Sequence, residues 1–384
     1  MKISLYHSDF INFIFKAIYQ NYNSMLLNIK QSLKILLFII TISCCMQGYI
    51  LSQDEETEHF YSDTLSLQVD LFSLEEPMDI TLKFDIKSYQ KGKAKGKYLP
   101  VQLTYHVNDT LDINKKVKVK ARGEFRRSYC TFMPPFFINL KKAKIGNRYL
   151  DTISKVKIVT HCKESKTHEQ YLMKEYLTYK IYNEISPYSF RVRLIRMKYI
   201  DTGRKNKESS SWAFMIEPEK MMAERLGVLS IKSDGVSMRY TDTLMMDVVA
   251  LYMYMIGNAD YSVAGRHNLK LIRRKDPLKP LLVPVPYDFD YAGIVNASYA
   301  IPGENLGLTS VTERYFLGPC RDDLKYLTAI DQIQMNKDRI LELVESSPYL
   351  DEKNRKEMIK YLGGYFSDAE KSENLLRSIK STCR

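Results

Sequence analysis

The sequence predicts an α+β chain, β-rich in its first half and mainly helical in its second. Three observations predict it. Between residues 64 and 122 apolar and polar residues alternate in short runs, the period of half-buried strands. Residues 244–256 (LMMDVVALYMYMI) are apolar on nearly every side, as a helix buried all round would be. Residues 321–381 are charged and helical in pattern, and no internal repeat interrupts this order.

The first 52 of the 384 residues read as an export signal. ILLFIITI (35–42) follows Lys30 and Lys34 and gives way to a polar exit near Ser52, the layout of a secretory signal. The run is too short for a comfortable membrane span. Met25 is an alternative start. Ser43 before Cys44 offers a lipoprotein reading beside plain cleavage near Ser52, and an uncleaved anchor is a third. The chain is therefore expected in the periplasm, on the cell surface or outside the cell, attached peripherally to a membrane only if lipidated. The whole-chain charge is +12 and falls to +9 without residues 1–52, which favours anionic partners without choosing among them. No RNA-binding signature, Cys/His finger or basic recognition helix is present, so no nucleic-acid partner is expected. Cys130, Cys162, Cys320 and Cys383 remain after the signal and allow three pairings. Cys162 beside His161, with His168 beyond, matches no zinc spacing.

Residues 53–217 form the expected β-rich N-terminal part. TLSLQVDLF (64–72), MDITLKFDI (78–86) and LPVQLTYHV (99–107) are strands, with a basic loop from Lys91 to Lys97. That loop is one residue short of a phosphate loop and has Tyr98 where Ser or Thr would be needed. KKVKVKARG (115–123) places Val117, Val119 and Ala121 on one face. Pro134-Pro135 breaks the chain before strands at 136–140 and 155–159. Residues 168–184 form a helix with Met173, Leu177 and Ile181 as its buried stripe and Glu175 on a neighbouring face. Pro187 ends it. RVRLIRMKYI (191–200) reads as a strand with its arginines outward, and WAFMIE (212–217) pairs back across the polar turn 203–211. Residues 218–384 form the helical C-terminal part that carries the acidic site. Within it the central helix leads into a polar loop (258–267), strands at 268–273 and 281–287, and an aperiodic segment (291–320).

The chemistry concentrates at 258–293. In VPVPYDFDYAG (283–293), Asp288 and Asp290 would share a face of an extended chain, roughly 6.5–7 Å apart. Their repulsion calls for a cation, a proton or an arginine. Pro284 and Pro286 place this stretch at a sheet edge or strand end. Asp260 follows the buried helix in a loop, a position suited to a general base. Asn268 can offer a neutral carbonyl to a metal. An Asp in a loop, then an Asn, then an Asp on a following strand is the order protein kinases use for substrate hydroxyl and metal. Lys155 and Lys157, followed by Glu169 or Glu175, are candidates for a phosphate-binding lysine and its helix partner.

These residues together resemble the spore-coat CotH-type atypical kinases. The resemblance covers about 115–293 and rests on Ala121-Arg122-Gly123, the helix at 168–184 with RVRLIRMKYID after it, FMIE (214–217), Asn258-Ala259-Asp260, His267-Asn268 and YDFDYAG. It implies a divergent two-lobed protein-kinase-like fold and phosphoryl transfer from ATP with Mg or Mn. It implies Asp260 as catalytic acid, and Asn268 with Asp288 or Asp290 as metal ligands. On that reading Arg122, Lys155, Lys157 and Glu175 serve the nucleotide, and the partners are a nucleotide and a protein or glycan acceptor. Glu124-Phe125-Arg126-Arg127 departs from the family's usual Asn-Ser-Ser after Arg-Gly, and Tyr287 stands before the DFD where Trp is usual. An exported family sharing only this core is the other placement. The competing functions are a carboxylate-pair glycoside or phosphoester hydrolase and a non-catalytic envelope or matrix protein that binds an anionic polymer. The single Trp, Trp212, weighs against a glycan site and the 28 tyrosines soften that objection.

Overall fold

The computed structural model describes residues 71–108, 111–143 and 151–384. The expected signal, the lipidation site at Cys44 and most of the strand expected at 64–72 lie outside the described residues. Leu71 and Phe72, at its end, stand in a turn.

Among the described residues, seven strands carry the first half: β1 (Met78–Phe84), β2 (Leu99–Asn108), β3 (Leu111–Ala121), β4 (Phe136–Asn139), β5 (Lys155–Thr160), β6 (Val192–Asp201) and β7 (Lys207–Ile216). They close into a barrel in the order β1-β2-β3-β4-β5-β7-β6. Every neighbouring pair is antiparallel except the closing one, where β1 runs parallel to β6 from Met78 opposite Ile195 to Phe84 opposite Asp201. The alternation seen in the sequence fills the interior. Ile80, Leu82, Leu103, Val117, Val119, Ile138, Val156, Ile158, Ile195 and Met197 form one buried cluster. Each fully buried aliphatic side chain of this kind contributes about 1.5–3 kcal/mol.

The expected two-lobed kinase-like fold is overturned by this barrel. The chain is α+β, but its N-terminal strands close on themselves. Alternation tells which face of a strand is apolar, and a one-residue slip would invert it. It does not tell whether the last strand returns to pair with the first. Closure removes the free edges that an open sheet must protect.

Among the described residues, helices α1 (Ile86–Gly92), α2 (Glu124–Tyr129), α3 (Lys166–Ile185) and α4 (Glu219–Arg225) accompany the strands up to the central helix. The start of the expected basic loop is α1, capped by Asp85, whose carboxylate accepts from Ser88 N at 2.9 Å. Helix α3 is capped by Ser165, which accepts from His168 N, and ends at Ser186 before Pro187. Its buried surface is wider than the expected stripe and takes in Lys174, Glu175 and Thr178. Arg193 is also buried rather than outward, donating to Glu76 O at 2.8 Å.

The second half is built on α5 (Thr243–Met255), buried from Met246 to Met255. A three-stranded antiparallel sheet, β10-β9-β8, adjoins it: β8 is Val228–Ile231, β9 Leu269–Arg274 and β10 Leu282–Pro286. The four-residue β8 was not legible in the sequence. β10, with Pro284 and Pro286, lies at the edge. Helices α6 (Asp323–Gln334), α7 (Lys337–Glu345), α8 (Glu352–Glu370) and α9 (Ser372–Lys380) complete the chain. Disulfides join Cys130 to Cys162 and Cys320 to Cys383. The first takes Cys162 out of any zinc set and ties the end of α2 to the turn ahead of α3. No helix among the described residues is long and apolar enough to cross a membrane.

The end of α5 is the anchor for the site. Gly257 has φ +68° and its N–H bonds to Tyr254 O, while Asn258 N–H reaches back to Met253 O at 2.7 Å. This pair of bonds is a glycine-based helix stop. Gly293 N–H then donates to Gly257 O at 3.0 Å, so the two backbones touch. A Cβ on Gly293 would lie 2.4 Å from Val311 O and 2.7 Å from the Tyr361 hydroxyl. Gly293→Ala is expected to cost about 1–3 kcal/mol by overpacking. Urea denaturation checks this, and an unshifted midpoint would contradict the close approach.

Candidate active site

The strand β10 ends at Pro286, and Asp288 takes a left-handed turn at φ +65°. The extended spacing expected for the acids is therefore not how they meet. The turn sends Phe289 into the core, 4.6 Å from the Tyr179 ring and 5.7 Å from the Tyr252 ring, centroid to centroid. The Tyr179 hydroxyl accepts from Asp288 N at 2.7 Å. Phe289 is fully buried, while Asp288 and Asp290 on either side of it in the chain reach the cluster at α3. There they meet Glu175, and each of the three residues offers an oxygen within 4.8 Å of the others.

Two arginines hold these acids. Arg122 stands just after β3, and Gly123 turns the chain at φ +78° into α2. Arg122 Nη2 donates to Asp288 Oδ2 at 3.2 Å. Arg126, buried within α2, donates from Nε to Asp290 Oδ2 and from Nη2 to Glu175 Oε2, both at 2.7 Å. Its guanidinium also lies 5.7 Å from the Tyr299 ring centroid. Burial pushes the Glu175 carboxyl up to about 8 against the pull of Arg126. Burial likewise raises Asp290. Burial also opposes ionisation of Asp288, but Arg122, Arg126 and Lys157 together outweigh it and hold that carboxyl below its ordinary value.

Asp260 lies beyond Asn258, whose Oδ1 accepts from Asp260 N at 2.9 Å. His267 Nε2 bonds to Asp260 Oδ1 at 2.9 Å, and Asn268 Nδ2 donates to Asp260 Oδ2 at 3.0 Å and to its carbonyl at 2.7 Å. Asn268 is held in turn by Tyr287 N, which donates to its carbonyl at 3.0 Å, and takes φ +51°. Left-handed Asn and Asp residues of this kind cluster where a site sets its own geometry. The Asp260 side chain keeps 45% of its exposure, so it can reach a substrate.

Asp260, Asn268, Asp288, Asp290 and Arg122 line one cavity of about 460 Å³, together with His267, Phe125, Tyr291 and Glu304. An adjoining cavity of about 430 Å³ shares Arg122 and Asp288 and is basic, lined also by Lys120, Arg127 and Lys157. Lys157 sits 4.3 Å from the Tyr287 ring centroid, and burial with the nearby Arg122 charge pushes its ammonium down to about 7.

Two expectations fail. Neither lysine of β5 pairs with Glu175, because Arg126 already occupies that carboxylate. Lys155 lies on exposed surface against Phe137, with its ammonium 4.4 Å from the ring centroid, outside both cavities. Glu169, the other helix candidate, lines a separate groove with Arg196 and Trp212. The sequence reading also missed Arg126 and left His267 without a role. One signal pointed to Arg126. A glutamate flanked on its helix by apolar residues needs a cation, and Arg126-Arg127 supplies two.

The three acids fit a hard divalent cation such as Mg or Mn, which takes carboxylate oxygens. Glu175 Oε1 is buried and bonded to nothing among the described residues. Asn268 spends its amide nitrogen on Asp260 and has its Oδ1 to offer.

No family model matches the chain, and no curated protein does. Among solved structures it is similar to the Helicobacter pylori proinflammatory kinase CtkA, at 12% identity and TM-score 0.38, over 64% of this chain and 92% of that one. A likeness of that degree does not assign a function.

Proposed function

We propose that this chain is an exported enzyme that moves a phosphoryl group from a nucleotide to a protein or glycan hydroxyl, with Mg or Mn. The observation that carries the proposal is the convergence of Asp260, Asn268, Asp288 and Asp290 on one cavity. The basic cavity beside it supplies Lys120, Arg122, Arg127 and Lys157 for a polyphosphate. A phosphoryl group seated beside Arg122 and Asp288, which line both cavities, would lie between a donor in the basic cavity and an acceptor beside Asp260. In-line transfer requires that arrangement.

The acceptor hydroxyl enters beside Asp260, which takes its proton as the new O–P bond forms and the bond to the leaving diphosphate breaks. His267 and Asn268 fix the carboxylate's orientation, so little reorganisation is needed. Arg122 and Lys157 stabilise charge on the phosphate oxygens. A divalent ion, when bound to the carboxylates, would neutralise part of that charge. The hydrolase alternative fares worse, because Asp288 and Asp290, the partners it would need for Asp260, are each held by an arginine.

The test is thermal shift with ATP and Mg. Saturation at 100 times Kd should stabilise the wild type by about 2.7 kcal/mol. Asp288→Ala and Asp290→Ala should remove the Mg-dependent shift, at least one of them completely. A wild type that responds to no combination of nucleotide and metal would tell against this function.

A further inference from the structure

We propose that the outer face of the barrel carries a binding groove for a neutral oligosaccharide, with Trp212 as its stacking surface. The groove holds about 640 Å³, within the usual ~300–1,000 Å³ of a ligand site. It shares no lining residue with either cavity at the acidic cluster, so the proposal stands apart from phosphoryl transfer. Strand register builds it. His106 on β2 lies opposite Asp79 on β1, Asp79 opposite Arg196 on β6, and Arg196 opposite Trp212 on β7. Residues paired in this way share a face. The four side chains therefore stand in one row across the parallel seam that closes the barrel. Two residues along, Thr81, Lys198 and Ser210 form a second row. Ile80 and Met197, between the rows, belong to the buried interior. Glu169, from the first turn of α3, also lines the groove.

The first row is fixed before any ligand arrives. Asp79 accepts two hydrogen bonds from Arg196, at 2.6 and 2.5 Å. His106 bonds to Thr81 Oγ1 at 3.1 Å and to Asp112 Oδ1 at 2.7 Å. Trp212 is partly buried and meets the Tyr349 ring edge to face, with centroids 5.4 Å apart. Side chains held in this way lose little further freedom on binding. The chemistry of the lining selects the ligand. Two carboxylates, Asp79 and Glu169, balance two cations, Arg196 and Lys198, and Lys198 is itself paired with Glu208 at 2.8 Å. That balance gives an anion no advantage. The barrel is closed and leaves no strand edge here to which a peptide could add. What the groove offers is a large amphipathic ring beside fixed donors and acceptors. A pyranose matches both features: its C–H face stacks on the indole, and its hydroxyls donate and accept around the rim. From His106 to Trp212 the row crosses three strand spacings, roughly 14 Å. That length exceeds one sugar ring and calls for an oligosaccharide.

Trp212 is the only tryptophan in the chain, so its fluorescence, excited where the 28 tyrosines do not absorb, reads this groove. The experiment titrates the full chain with maltotetraose, cellotetraose and chitotetraose, and with a heparin tetrasaccharide as the anionic comparison. At least one neutral sugar should change the emission saturably, with Kd at or below about 1 mM. Arg196 is exposed, so Arg196→Gln should fold as the wild type does, which a thermal melt checks. It should weaken the neutral sugar about tenfold or more, because the row loses a charged donor pair and Asp79 loses its partner. Trp212→Phe, followed by calorimetry, should weaken it likewise. No response to any of the three neutral sugars would overturn the proposal. So would a response to the heparin fragment alone, which would make the groove an anion site, or an unchanged Kd in folded Arg196→Gln. If Trp212→Phe does not fold, the Arg196→Gln titration decides.

Discussion

Asp260→Asn is expected to lower kcat for phosphoryl transfer by about 10²–10⁴-fold, the usual worth of a positioned general base, with no loss of stability. The side chain is 45% exposed, so folding should depend little on its charge. The amide that replaces it can still accept from Asn268 and meet His267, so the loop keeps its shape. What it cannot do is take a proton from the acceptor. KM for the nucleotide should change little, because Asp260 does not line the basic cavity. Steady-state kinetics beside a thermal melt tests this. Turnover equal to wild type would remove Asp260 from the chemistry.

Arg126→Ala is expected to destabilise the fold by about 3–5 kcal/mol, the range for deleting one partner of a buried ion pair. Glu175 is 1% exposed and Asp290 8%, and both lose the guanidinium they are bonded to. Neutralising the stranded acids should recover part of the loss. The triple variant Arg126→Ala with Glu175→Gln and Asp290→Asn should therefore be more stable than Arg126→Ala alone. Urea denaturation of the two proteins measures the difference. If the single variant were as stable as wild type, the arginine would not be the charge that holds this cluster together.

Much of the local structure was legible because it is local. Strands β2 to β7 and helices α3 and α5 follow from alternation, from 3.6-residue periodicity, and from stops such as Pro187 and Gly257. The strand β8 was missed because four residues give too short a pattern to read. Arg193 was misplaced because strand alternation assigns a face without knowing that a backbone carbonyl, that of Glu76, waits on it. Asp288 and Asp290 were rightly grouped, but by the wrong geometry. The left-handed turn at Asp288 and the burial of Phe289 bring them to one side, and neither is visible in a run of residue letters.

The amino-acid sequence by itself determined the α+β composition, the order of its elements and the residue types that can serve a metal and a phosphate. Those depend on neighbours within a turn or a strand, where periodicity and side-chain chemistry speak directly. Only the tertiary structure decided that the β-rich half closes into a barrel, that Glu175 answers to Arg126 and not to a lysine, and that Lys155 stands outside the site. Each of those outcomes is a contest among distant groups for the same edge or the same charge. A strand edge or a carboxylate takes whichever partner the folded backbone brings closest, and sequence separation carries no record of that distance.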